Sequence, residues 1–200
     1  MTTLCYRLSK VLLLLILKVI LRIKIKVKGL EFIPKKGAFL LISNHLSYLD
    51  PPIVGISCPR PLIFLARKDL FDIRFLGPWM RAVGVVPLMP ESGDIKAIKG
   101  AIKALKKGNV VAVFPEGARQ AATESSFQNI KKGFLLLAKK PNVPIVVAKV
   151  TGSEKAWPRD SKCIKRGTEV EVSFSKPLMI GSFEDYEQEL KTLKAVFAKL

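Results

Sequence analysis

The chain contains a single histidine, and its neighbours have the types and spacing that proton-transfer chemistry uses. His45 follows the apolar run at residues 38–42, and Asp50 lies five residues further on. Imidazole accepts and returns a proton near neutral pH, and a carboxylate on its other nitrogen orients it. A strand that ends near Ser43 and then turns would bring Asp50 back beside His45, because Asn, Ser, Asp and Pro favour turns. The pair therefore predicts a general base.

No serine or cysteine with a nucleophile motif of its own accompanies this pair, which favours direct activation of a substrate hydroxyl by His45. A second interpretation is structural. Asp50 would be a helix N-cap, since Pro51 and Pro52 are typical of a first helical turn, and His45 would be an ordinary loop histidine. A capping carboxylate can also face an imidazole, so the two interpretations are compatible.

A second group of polar residues follows the apolar strand pattern at residues 110–114. It contains Glu116, Gly117 and Arg119. Glycine lets the backbone approach a ligand closely, and arginine presents a rigid fork of donors that suits phosphate. The group predicts a site for a phosphorylated substrate. The alternative is a turn with a surface ion pair between Glu116 and Arg119.

The charge of the chain points to an anionic partner, since 34 Lys and Arg against 16 Asp and Glu give +18. Phospholipid, nucleic acid and phosphorylated substrates all fit this charge. Nucleic acid is not expected, because no zinc-finger, RNP or GXXG signature is present. Cys5, Cys58 and Cys163 have no metal-binding spacing, so neither a metal site nor a disulfide framework is indicated.

The first 25 residues predict an amphipathic helix. Their longest apolar run, residues 11–17, is shorter than the roughly 20 residues that a membrane span needs. Basic residues fall within about a third of the helical wheel: Arg7, Lys10, Lys18 and Arg22. This pattern favours a helix lying in the membrane interface, ahead of a core helix packed on the domain and of a signal peptide.

The rest of the chain, residues 26–200, predicts one α/β domain in which apolar strands alternate with helices. Strands are predicted at 23–28, 38–42, 62–66, 84–89, 110–114, 143–150 and 170–174. Helices are predicted at 51–57, 75–83, 94–107, 130–139 and 183–199. This order is typical of a layered fold with a largely parallel, mixed central sheet flanked by helices, whose ligands bind where strands end.

Taken in order, three segments resemble the glycerolipid acyltransferase family, and more closely its bacterial 1-acylglycerol-3-phosphate acyltransferases. They are Asn44-His45 with Asp50, Phe-Pro-Glu-Gly-Ala-Arg at residues 114–119, and Val-Pro-Ile-Val at residues 143–146. The resemblance implies transfer of a fatty acyl group from acyl-CoA or acyl-carrier protein to the free hydroxyl of lysophosphatidic acid, which gives phosphatidic acid.

In this resemblance His45 is the base and Asp50 orients it. Four residues are implied in acceptor binding: Asn44, Glu116, Gly117 and Arg119. No metal or bound cofactor is implied, and the expected location is the cytoplasmic face of the cell membrane, on anionic phospholipid. The alternatives are an acyltransferase for another lysophospholipid, or a non-enzymatic basic protein that binds membranes or nucleic acid.

The chain departs from the family pattern in its second, third and fourth blocks, and the departure in the second block concerns phosphate binding. Residues 84–90 have proline where the family usually has arginine. Three other cations are therefore candidates for contact with the acceptor phosphate: Arg67, Lys68 and Arg81. Backbone N–H groups near the His45 turn are candidates for an oxyanion site.

Overall fold

A seven-stranded sheet forms the centre of the structure, a computed structural model that describes residues 3–89, 95–120, 127, 130, 132–158, 160, 161, 163–180 and 186–200. The strands are β1 Lys24–Lys28, β2 Phe39–Ser43, β3 Leu62–Arg67, β4 Val86–Leu88, β5 Val110–Val113, β6 Ile145–Thr151 and β7 Glu169–Phe174. Their order is β1-β7-β6-β2-β5-β3-β4. Strands β1 and β7 run antiparallel to the five parallel strands.

Helices cover both faces of this sheet, as the sequence predicts. They are α1 Thr3–Leu15, α2 Asp50–Ser57, α3 Leu76–Ala82, α4 Ile95–Lys106, α5 Leu135–Lys139, α6 Ser153–Ala156 and α7 Tyr186–Lys199. The predicted α/β fold with a largely parallel, mixed sheet is therefore confirmed. The helix predicted at 130–139 is shorter than expected, since residues 132–134 form a 3-10 turn. Residues 90–94 and 183–185, within or beside predicted elements, lie outside the described residues.

Successive side chains of the central strands point to opposite faces of the sheet. Phe39 and Leu41 belong to the core shared with α1 and α2, whereas Leu40 and Ile42 belong to the core shared with α4, α5 and α7. Every residue of β2 is consequently buried. This explains the unbroken apolar run before the histidine, because a strand covered on both faces needs no polar side.

Helix α1 packs on the domain through one face and exposes a second apolar face. Leu13, Leu14 and Leu17 contact the core, and the Tyr6 hydroxyl accepts a hydrogen bond from the Leu62 N–H at 3.1 Å. The exposed residues are each 53% to 66% accessible: Leu4, Leu8, Val11, Leu12, Leu15 and Val19. Among the described residues, no helix combines the length and apolar character needed to cross a bilayer.

The prediction that four basic residues line one edge of this helix is wrong for two of them, Lys10 and Arg22. The helix ends in a π-helical turn, Ile16–Ile20, and Arg22 adopts a φ of 53° before β1 begins. Lys10 turns inward, and its Nζ donates to the Cys58 carbonyl at 2.7 Å. Carbonyls at a helix C-terminus lack partners in the helix and attract cations, so the end of α2 accounts for this orientation. Burial lowers the pKa of Lys10.

The predicted boundary between residues 1–25 and 26–200 falls inside β1. Leu17 is only 2% exposed and belongs to the same apolar cluster as Phe39 and Leu41 in β2. The packed face of the first helix is thus part of the core of the α/β domain. This is the core-helix interpretation for one side of α1, while the other side is exposed.

Leu17→Ala and Leu12→Ala should separate these two faces. The first substitution leaves a cavity and should lower the free energy of unfolding by about 2–5 kcal/mol, whereas the second should change it by less than about 0.5 kcal/mol. Denaturant unfolding followed by circular dichroism, in one fixed detergent, measures both values. Equal losses would show that α1 does not share the domain core.

Candidate active site

His45 lies at the carboxyl end of β2, in a loop that closes around the carboxylate of Asp50. Asp50 is fully buried, and its Oδ2 atom accepts three hydrogen bonds. The donors are His45 Nδ1 at 3.0 Å, the Leu46 N–H at 2.6 Å and the Ser47 N–H at 2.7 Å. The turn therefore brings the imidazole and the carboxylate together as their spacing predicts.

The N-cap interpretation of Asp50 is wrong, because its carboxylate binds the loop before the helix. Pro51 and Pro52 have no N–H to donate, and the Ile53 N–H bonds to the Leu49 carbonyl at 2.9 Å. The first turn of α2 thus offers this carboxylate no donor. The two prolines start the helix and leave Asp50 to the His45 loop.

The hydrogen bond to Asp50 determines which ring nitrogen of His45 can accept a proton. Nδ1 faces a carboxylate oxygen and so carries the ring hydrogen, which leaves Nε2 as the acceptor. The ring is partly exposed, with 17% of the side chain accessible. Its face packs against Phe114, whose ring centroid lies 4.4 Å away, and Phe114 stacks on Phe64 at 6.2 Å. The site can therefore take a proton from a hydroxyl brought to Nε2.

Glu116 reaches the same loop from the neighbouring strand β5. It is 5% exposed, its Oε2 accepts the His45 N–H at 3.1 Å, and its Oε1 accepts the Phe127 N–H at 2.6 Å. Burial raises the pKa of Glu116, while the two N–H donors oppose the rise. Both oxygens bind backbone N–H groups, so Glu116 helps to position the His45 loop, and its contact with substrate stays a prediction.

The amide of Asn44 also binds backbone, and its contact with substrate stays a prediction. The side chain is 1% exposed, its Nδ2 donates to the Val150 carbonyl at 2.8 Å, and its Oδ1 accepts the Val150 N–H at 2.8 Å. Backbone pairing between β2 and β6 ends at Ser43 and Ala148. The amide continues this pairing for one further step and holds the start of the His45 loop against β6.

Gly117 and Arg119 border the His45 loop, and their binding of the acceptor phosphate stays a prediction. Gly117 adopts a φ of 72° and its N–H donates to the Phe114 carbonyl at 3.0 Å, which makes the tight turn after β5. The next residue after Arg119, Gln120, donates its N–H to the His45 carbonyl at 2.7 Å. The guanidinium carbon of Arg119 lies 3.6 Å from the centroid of the Tyr48 ring.

The three candidate phosphate cations have different surroundings. Arg67 ends β3, at the edge of the sheet that holds His45, and its Nη2 lies 2.9 Å from Asp69 Oδ2. Lys68 is exposed and begins the next 3-10 turn. Arg81 lies in α3, where it donates to the Phe71 carbonyl at 3.4 Å. Arg67 and Lys68 thus lie at the site edge, whereas the described contacts of Arg81 are with Phe71.

The acyltransferase family model matches residues 24–150, which is more than half of the chain. The chain belongs to this acyltransferase family. It is 32% identical over 158 residues to a chloroplast 1-acyl-sn-glycerol-3-phosphate acyltransferase of Arabidopsis thaliana, an alignment that covers 78% of the chain and 44% of the plant protein. The chain thus spans less than half of that relative's length.

Two bacterial proteins are also similar to this chain. The 1-acyl-sn-glycerol-3-phosphate acyltransferase of Bacillus subtilis is 27% identical over 170 residues, or 84% of this chain and 81% of that protein. The crystal structure of the 1-acyl-sn-glycerophosphate acyltransferase PlsC of Thermotoga maritima superposes with a TM-score of 0.75 at 24% identity. The superposition covers 98% of this chain and 76% of the Thermotoga chain, which shows that the two share a fold.

Four backbone N–H groups in the turn around His45 are already paired and are therefore not candidates for the expected oxyanion site. Those of His45, Leu46 and Ser47 all donate to carboxylates, and that of Leu49 donates to the Ser47 hydroxyl at 3.3 Å. Among the described residues, no group of three or more His, Cys, Asp or Glu has the arrangement of a metal site.

Two aromatic residues at the site, Tyr48 within the loop and Trp157 beside it, were not among the predicted site residues. Their rings are in edge contact, with centroids 5.3 Å apart. Tyr48 lies inside the motif itself, so its position was available from the sequence. Trp157 follows α6 and reaches the site only through the fold, because Ser47 Oγ donates to its carbonyl at 3.1 Å.

The raised pKa of Glu116 should be visible as a pH dependence of stability. Between its ordinary value of 4.5 and the raised value, the folded protein binds more protons than the unfolded chain, so stability falls as pH rises through this interval. Glu116→Gln lacks this titration. The unfolding free energy of wild type minus that of Glu116→Gln should therefore decrease as pH rises above 4.5, measured by urea unfolding at several pH values.

Glu171 supplies a control of opposite sign. A hydrogen bond from Lys28 lowers the pKa of Glu171, so its contribution is present above 4.5 and is lost as pH falls through the lowered value. The same difference, taken with Glu171→Gln, should decrease as the solution becomes more acidic. A pH-independent difference for Glu116→Gln would contradict the expected effect of burial.

Proposed function

We propose that the protein transfers a fatty acyl group from a thioester to the free hydroxyl of 1-acylglycerol-3-phosphate, giving phosphatidic acid for phospholipid synthesis. The observation that carries the proposal is the hydrogen bond of 3.0 Å between Asp50 Oδ2 and His45 Nδ1, in a chain of the acyltransferase family. The names of the plant and Bacillus relatives support this acceptor.

The reaction needs a base that accepts the hydroxyl proton and a carboxylate that stabilises the protonated base. As the hydroxyl oxygen attacks the thioester carbonyl carbon, His45 Nε2 takes the hydroxyl proton and Asp50 stabilises the resulting imidazolium. The new C–O bond forms, the C–S bond breaks, and the imidazolium returns the proton to the departing thiolate. Acyl-CoA and acyl-carrier protein both fit as the donor, and neither step uses a further cofactor.

The acceptor phosphate is bound by cations at the same edge of the sheet. Arg119 follows the turn that Glu116 ties to His45, while Arg67 and Lys68 follow the neighbouring strand β3. A guanidinium group binds the oxygens of a phosphomonoester through paired donors. Another lysophospholipid is the second candidate acceptor, and the proline in place of the second-block arginine favours it.

We also propose that the exposed face of α1 binds the cytoplasmic surface of the cell membrane. Leu8, Leu12 and Leu15 are each more than half exposed on one side of this helix. Arg7 and Lys18 are exposed cations on the same helix, suited to anionic headgroups. An apolar helix face of this kind enters the boundary between headgroups and acyl chains, where a lysophospholipid acceptor also resides.

Purified protein assayed with acyl-CoA and lysophosphatidic acid tests the chemistry. His45→Ala should lower kcat at least about a hundredfold, because general-base assistance is lost. Asp50→Asn should lower kcat about a thousandfold or more, because the carboxylate that keeps the ring hydrogen on Nδ1 is gone. Asp72→Asn changes an exposed carboxylate in the turn before α3 and should leave kcat unchanged. Undiminished acyl transfer by His45→Ala would refute the proposal.

Flotation with vesicles of phosphatidylglycerol and phosphatidylethanolamine tests the membrane surface. The double variant Leu8→Gln/Leu12→Gln should lower the partition coefficient by at least about tenfold, since each buried leucine contributes about 1.5–3 kcal/mol. The control Ile95→Gln/Met179→Gln removes two exposed apolar residues outside α1. Salt should weaken binding by screening Arg7 and Lys18. Equal partitioning of the two double variants would contradict binding through α1.

A further inference from the structure

An exposed tyrosine lies inside the loop that holds the base. Tyr48 is 51% exposed, yet its ring is in edge contact with Trp157. Trp157 is itself held in place, because its Nε1 donates to the Ser161 carbonyl at 2.9 Å and its own carbonyl accepts from Ser47 Oγ. The Tyr48 ring is therefore supported from one side although half of the residue faces solvent.

The other contact of Tyr48 is a close stack with Arg119. The guanidinium carbon lies 3.6 Å from the ring centroid, whereas the described arginines near other rings, Arg60, Arg74 and Arg81, lie between 5.3 and 5.7 Å from the centroid. Stacking of this kind uses the flat face of the guanidinium, while its N–H donors lie in the plane at the edge. A stacked arginine can thus bind a phosphate and its ring at the same time.

The stack is connected to the base through one short segment. Asp50 holds the Leu46 and Ser47 N–H groups immediately before Tyr48. On the other side of the stack, the Gln120 N–H donates to the His45 carbonyl. The ring below Arg119 and the imidazole of His45 therefore belong to one turn that these hydrogen bonds cross-link.

We propose that Tyr48 is a positioning residue for the acceptor: its ring holds the guanidinium of Arg119 in the orientation that binds the acceptor phosphomonoester beside the His45 loop. The proposal rests on the function proposed above. It assigns to the aromatic side chain a share of the affinity for the acceptor, since a guanidinium already held in one orientation loses less conformational freedom when it binds a phosphate. An acceptor without a phosphomonoester gains nothing from this arrangement.

Steady-state kinetics at saturating acyl-CoA test the proposal. Tyr48→Leu removes the ring and should raise the KM for lysophosphatidic acid about tenfold, within the range of cation–π contributions, while kcat changes by less than about threefold. The KM for acyl-CoA should stay constant. Tyr48→Phe keeps the ring and should restore most of the lost acceptor affinity. Phe75→Leu, which removes an 80% exposed ring beneath Arg74, is the matched control.

A double-mutant cycle identifies the partner through which Tyr48 acts. If the ring acts by holding Arg119, Tyr48→Leu should have no further effect on the acceptor KM in an Arg119→Ala background. Independent effects that multiply would overturn the proposal, as would a fall in kcat with an unchanged acceptor KM. A wild-type enzyme that prefers an acceptor lacking the phosphomonoester would instead refute the proposed function, before any variant is compared.

Discussion

The site depends on a single buried oxygen atom, Oδ2 of Asp50. Burying a carboxylate is costly unless hydrogen bonds replace its water, and here three donors converge on one atom. Two of them are N–H groups of Leu46 and Ser47, so the carboxylate shapes the backbone of the turn as well as the imidazole. The orientation of His45 and the path of the chain around it have the same cause.

A second carboxylate makes this arrangement rigid. Glu116 accepts a hydrogen bond from the backbone N–H of His45, while Asp50 binds the ring of His45. The two acids come from different segments of the chain, one after β2 and one after β5. Because β2 and β5 are paired neighbours, a turn at the end of one strand reaches the turn at the end of the other. The two segments that are far apart in sequence thus form one small cross-linked unit.

The sequence predicted the parts of this unit that depend on local spacing. The pairing of His45 with Asp50 follows from turn chemistry within one segment, and the unbroken apolar run of β2 revealed a strand buried on both faces. The roles of Asn44 and Glu116 were beyond such reasoning. Their partners lie 106 and 71 residues away in the sequence. The residue type alone does not distinguish a side chain that binds a substrate from one that binds the backbone.

The same limit explains the error in the first helix. A helical wheel gives the angular position of Lys10 but not the neighbour that it meets, and that neighbour, the carbonyl of Cys58, is supplied by the end of α2. Periodicity likewise could not show that the helix ends at Ile20. Both features depend on how α1 crosses the domain, which only the assembled sheet determines.

The two apolar faces of α1 have a consequence for handling the protein. Removing the first 20 residues to obtain a detergent-free version would uncover the face of the sheet that Leu13, Leu14 and Leu17 cover, and the truncated domain should aggregate. Replacing the outward-facing leucines while keeping the helix would preserve the core. Solubilisation of this domain is therefore a matter of surface redesign rather than truncation.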